Sequence, residues 1–163
     1  MKEKYPLHTL AQIKARRLEE AEKVLKEKKE ALQKELDKKK ELEKERDKTL
    51  YHKEAKLKQF RTTLDEGTTS DKIQMMKDYI KTVEEELKKK EKKVQDQVKQ
   101  VKLAEEQVEE ARKDYIKKEQ DVEKLKLHRK EWEKEVKGEE EHKMALEGDE
   151  LGSTMHHLRK KKK

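Results

Sequence analysis

Between Ile73 and Val136 the chain reads IQMMKDYIKTVEEELKKKEKKVQDQVKQVKLAEEQVEEARKDYIKKEQDVEKLKLHRKEWEKEV. Every seventh residue of this stretch is Ile73, Ile80, Leu87, Val94, Val101, Val108, Tyr115, Val122, Arg129 and Val136, and only Arg129 breaks the apolar run. Three residues on, a companion ladder reads Met76, Val83, Lys90, Gln97, Ala104, Ala111, Lys118, Leu125 and Trp132. Apolar side chains recurring every 3.5 residues form one narrow stripe on a helix, and such a stripe is buried only against other helices. The stretch is therefore one arm of a coiled coil.

Composition excludes an ordinary globule. Of 163 residues, 52% are charged and 29% hydrophobic, too few apolar groups for a three-dimensional core. Abundant Glu, Lys, Leu, Ala, Gln and Arg with clear periodicity favours helix over disorder. One proline and four glycines leave few places to turn. The absence of cysteine fits a reducing compartment. No apolar leader precedes the helical pattern, and no stretch approaches the ~20 apolar residues of a membrane span. The sequence predicts a soluble cytosolic protein without direct membrane insertion.

The formal net charge is +7, from 46 basic and 39 acidic residues. Both signs are interspersed, as in Glu84–Lys88 at the favourable four-residue spacing. That describes a solvated helix surface. Nucleic-acid affinity needs clustered positive charge and aromatic platforms, so a nucleic-acid partner is not expected.

The first 65 residues carry heptads of their own. One ladder is Ala11, Leu18, Leu25, Leu32, Lys39, Arg46, Lys53 and Phe60; a second is Ala15, Glu22, Lys29, Leu36, Glu43, Leu50, Leu57 and Leu64. The predicted organisation is a polar lead over 1–5, helix over 6–65 with Pro6 in its first turn, and a tip loop over 66–70. A second helix follows over 71–147 with a weak break near Gly138, then a frayed basic tail over 148–163. At the tip, Gly67 suits the left-handed conformation that ends a helix. Thr68, Ser70 or Asp71 can cap the next one, Thr68 and Asp71 having capping-box spacing.

A short loop between two helices of similar length makes them antiparallel neighbours. The predicted fold is all-α, a long antiparallel two-helix coiled-coil hairpin. Its minimal form is a monomer, with a dimer as the open alternative. A register in which paired numbers sum to 140 sets Leu32 by Val108 and Leu18 by Val122; one summing to 133 keeps most of the same contacts. The first also pairs Glu22 with Lys118 and is preferred. Either way Lys39, Glu43, Arg46 and Lys53 form a polar waist with Lys90 and Gln97. Long stems can cover the seam there while their charges reach water; a bend or a partner contact is the alternative.

No catalytic arrangement is present: no glycine-rich phosphate loop, no thiol nucleophile, and two serines, Ser70 and Ser153, that read as turn residues. A two-helix hairpin has no concave pocket of the kind substrates need. His128, His142, His156 and His157 lack the spacing that would place two on one helix face, so no metal and no cofactor is expected. Interaction is the remaining function class. Trp132 sits on the seam near the open end, opposite His8 in the preferred register, as a lid or as an anchor for a partner. Val136 and the residues after it have no counterpart in the first helix. Arg16 and Arg17, with Arg129 and Lys130, make this end basic, as a solvated face or as a dock for an acidic surface. Arg16, Arg17, Arg129, Trp132 and Val136 are the candidate contact residues.

Particular stretches carry a family resemblance: Lys4-Tyr5-Pro6-Leu7 followed by Ile13-Lys14, the run from Ala21 to Lys28, the tip from Asp65 to Asp71, and Leu127-His128 with Glu131-Trp132. With the charged two-helix pattern they resemble the YscO/FliJ family of type III secretion stalk proteins, the chlamydial YscO-type members above all. The resemblance implies a shape similar to the stalk of rotary ATPases. It also implies binding to the hexameric type III secretion ATPase, engagement of the export gate protein and handling of secretion chaperones. The location it implies is the bacterial cytoplasm, at the secretion apparatus on the inner membrane. A generic coiled-coil scaffold without an ATPase partner is the alternative.

Overall fold

The computed structural model describes residues 3–162 and contains two helices, α1 (His8–Glu66) and α2 (Ser70–Lys161), packed against each other as an antiparallel hairpin. The helices belong to two compact units. One is Lys23–Lys113, which holds the tip; the other joins the chain through Glu22 to the chain from Asp114 onward and holds both helix ends.

The tip shows how the chain turns. Gly67 takes φ 88°, a conformation that costs other residues because Cβ meets the following carbonyl. Its N–H bonds the Leu64 carbonyl at 3.3 Å, satisfying one acceptor that the helix end would orphan. The first bond of α2 runs from the Ile73 N–H to the Thr69 carbonyl, 3.1 Å. Thr69 thus holds the N-cap position, between the candidates Thr68 and Ser70, and Asp71 lies in the first turn, where its charge complements the helix N-terminus.

In the tip-bearing unit, α2 supplies most of the core. Val83, Leu87, Val94, Val101 and Val108 are buried, together with Gln97. These belong to the two α2 ladders. In α1 the first predicted ladder faces α2 throughout, whereas the second does so only in part, at the half-buried Leu36, Glu43 and Leu57. The second facing row is Lys28, Glu35, Leu42, Thr49, Lys56 and Thr63, one residue earlier than predicted, while Lys29, Leu50 and Leu64 are exposed. The leucines do not decide this row, because rotation of α1 is set by the continuous apolar stripe of α2. Lysine and glutamate stems can line the remaining edge.

The polar waist is bonded across the hairpin. Gln97 Nε2 donates to the Glu35 carbonyl at 2.9 Å and to its carboxylate at 2.5 Å. Lys90 Nζ donates to Thr49 Oγ1 at 2.6 Å. Glu84, predicted to pair along its own helix with Lys88, meets Lys53 across the hairpin at 3.4 Å. No buried side-chain polar atom among the described residues lacks a partner, as native interiors require. Lys39 and Arg46 find carboxylates on α1 itself, at Glu43 and Asp47.

The cross-hairpin contacts match neither of the two registers throughout. Gln97 with Glu35, Lys14 with Asp121, Lys53 with Glu84 and Lys90 with Thr49 have numbers summing to 132, 135, 137 and 139. Phe60 shares a groove with both Met76 and Ile80. The Glu22–Lys118 pair that favoured 140 is not formed: Lys118 bonds Asp114 one turn back at 3.0 Å.

In the other unit Ala21 is buried, and Lys14 reaches Asp121 at 3.3 Å. The chain enters α1 through a turn in which the His8 N–H bonds the Tyr5 carbonyl at 3.1 Å. Pro6 is the second residue of that turn, outside the helix, a position its fixed φ favours. At the other terminus α2 continues as helix to Lys161, where the sequence predicts a frayed tail from 148. Gly138, Gly148 and Gly152 each cost about 1 kcal/mol against alanine in a helix interior. Strong helix formers surround them, and Arg159, Lys160 and Lys161 complement the dipole of the last turn.

Candidate partner-binding site

The open end is closed by an aromatic cluster built on Tyr5. The Tyr5–His8 turn folds the lead segment back across α2, leaving Tyr5 only 6% exposed. Its ring lies 5.4 Å from the Trp132 ring and 5.7 Å from that of His128, both tilted, in the range where aromatic pairs attract. The Tyr5 hydroxyl and His128 Nδ1 are 2.6 Å apart, so the phenol is satisfied although buried. The Arg129 guanidinium stands 5.9 Å from the centre of the same ring and bonds Glu133 Oε1 at 3.0 Å, which fixes its direction.

These residues floor a groove of about 560 Å³. Tyr5, Trp132 and Val136 supply its apolar lining and His8 a polar edge; Glu3, Lys4, Arg129, Glu133, Lys137 and Glu140 supply charges around it. An apolar floor inside a mixed-charge rim is the anatomy of a protein-binding patch, with aromatic and arginine side chains central. Trp132 is half-buried, packs on Tyr5 at the end of the seam and lines the groove.

Of the five residues proposed from sequence, Arg129, Trp132 and Val136 come together here. Arg16 and Arg17 are exposed on α1, more than a turn beyond His8 and outside the groove lining. Tyr5 and His128 were not among the five. A tyrosine before a proline, six residues ahead of Ala11 and ten ahead of Ala15, extends neither predicted ladder; the turn alone brings it inward. The tip residues Gly67, Thr68, Ser70 and Asp71 form the loop described above and carry no cluster of this kind.

Among the described residues no group of His, Asp or Glu is arranged to hold a metal ion, and no helix is long and apolar enough to cross a membrane.

The family model described as YscO-like protein matches residues 2–162. No curated protein matches the chain. Among solved structures, CT670 from Chlamydia trachomatis, described as a candidate YscO homologue, is similar at 42% identity with a TM-score of 0.91, over 99% of this chain and 100% of that one.

Proposed function

Because the chain belongs to the YscO-like family and is thereby a type III secretion-associated protein, we propose that it is a non-enzymatic stalk and escort component that binds the export ATPase through its open end. The observation that carries this reading is the groove of Tyr5, Trp132 and Val136 beside Arg129, an apolar patch with an oriented cation at the end where α2 outruns α1. Family resemblance supplies the partner; the groove supplies a place for it to hold. The mechanism is mechanical. Within the tip-bearing unit the two helices are joined by the bonded polar waist, which suits a part that passes displacement along its own length. The export gate protein at the tip and secretion chaperones along the helix faces complete the proposed partner set, in the bacterial cytoplasm at the inner-membrane apparatus.

The test is catalytic turnover of the cognate export ATPase with and without this chain. The proposal expects hydrolysis to rise on addition. Unchanged hydrolysis together with no detectable complex contradicts it and leaves a scaffold role.

A further inference from the structure

Beyond Val136 every described residue of α2 is exposed, so this segment has no partner in its own chain. It is not featureless. Met144, Leu151 and Leu158 recur every seven residues, and Gly148 and Met155 fall between them at alternating steps of four and three. Met144, Leu151, Met155 and Leu158 are 59–71% exposed. That spacing makes a second coiled-coil stripe, separate from the one that faces α1.

The charges along the same segment are polarised. Glu139, Glu140, Glu141, Glu147, Asp149 and Glu150 outnumber Lys137 and Lys143 before Leu151, whereas Arg159, Lys160, Lys161 and Lys162 follow it with no acid among them. Two parallel copies would set acid against acid and base against base. Two antiparallel copies set each acidic half along the other's basic half. We propose that this overhang is a self-association surface, on which a second copy of the chain docks antiparallel. The pairing that best serves stripe and charge sets Met144 against Met155 of the second copy and Leu151 against Gly148, large beside small, and leaves Leu158 beside the Glu141 stem. Glu140 then lies alongside Arg159 and Lys161 of the other chain, flanking the seam where opposite charges select orientation. Asp149 and Glu150 fall off the seam and stay in water. This goes beyond the ATPase reading and does not depend on it, because the apolar stripe shares no residue with the Tyr5 groove and only the flanking Glu140 borders both.

The chain has no cysteine, so introduced ones report alone. Full-length Met144→Cys and Met155→Cys proteins are mixed and treated with a short bis-maleimide. Antiparallel docking predicts unlike chains linked in excess, since like positions would sit ~16 Å apart along the helices. Light scattering on the wild-type chain should show mass rising with concentration at low salt. The Leu151→Glu, Met155→Glu double variant should remain monomeric with its helical circular dichroism intact, because both positions are exposed in the single chain. A wild-type mass of one chain at all concentrations overturns the proposal, and so does an excess of like-with-like links.

Discussion

Gly67 holds the hairpin turn at φ 88° with nothing within 4 Å of where a Cβ would stand. Its requirement is therefore conformational and not steric. Gly67→Ala should lower stability by about 1 kcal/mol, read as a fall in the urea midpoint with unchanged slope; an unchanged midpoint would show that the turn tolerates a side chain. Gln97 acts differently. It is the buried amide of an apolar ladder, satisfied only by Glu35 across the hairpin. Polar seam residues commonly fix register at a cost in stability. Gln97→Leu should raise the unfolding free energy by about 1 kcal/mol, and a fall would mean that the amide stabilises the hairpin outright. Tyr5 marks the limit of sequence reading at this scale. Its burial depends on a turn that throws it against Trp132 and His128, a contact between positions 123 and more residues apart that no local pattern encodes.

Among the elements, α2 was legible and α1 half so. The α2 ladder repeats Ile, Leu and Val at nearly every seventh place, and a stripe so continuous admits one orientation. Of the second α1 ladder, Leu36 and Leu57 are half-buried as predicted. The structure turns Thr49 and Thr63 toward α2, however, and leaves Leu50 and Leu64 exposed at 40% and 42%. A sparse ladder on one helix yields to a dense one on its partner. This difference is measurable. Leu87→Ala, at a buried position, should cost about 2–3 kcal/mol, whereas Leu64→Ala should cost under about 0.5; comparable losses at both sites would restore the predicted seam. The far end of α2 was misread because glycine is a strong breaker only where other costs accumulate. In a segment of lysine, glutamate, leucine and methionine, three glycines do not stop the helix.

For the whole chain, the hairpin and the family were both readable from the sequence, and the open end was located by the overhang of α2. What the sequence lacked was the composition of that end: it named Trp132, Arg129 and Val136 but put Arg16 and Arg17 beside them and omitted Tyr5. The central claim is that the groove on Tyr5 and Trp132 is where a YscO-like chain takes hold of the export ATPase. The direct measurement is the affinity of the cognate ATPase for the chain and for two variants, Trp132→Ala with Arg129→Glu, and Arg16→Glu with Arg17→Glu, with circular dichroism confirming that each remains helical. The account predicts that the groove variant loses affinity by about 2 kcal/mol or more, roughly thirtyfold, while the α1 variant loses much less. An ATPase that binds the groove variant as tightly as the wild-type chain would contradict it.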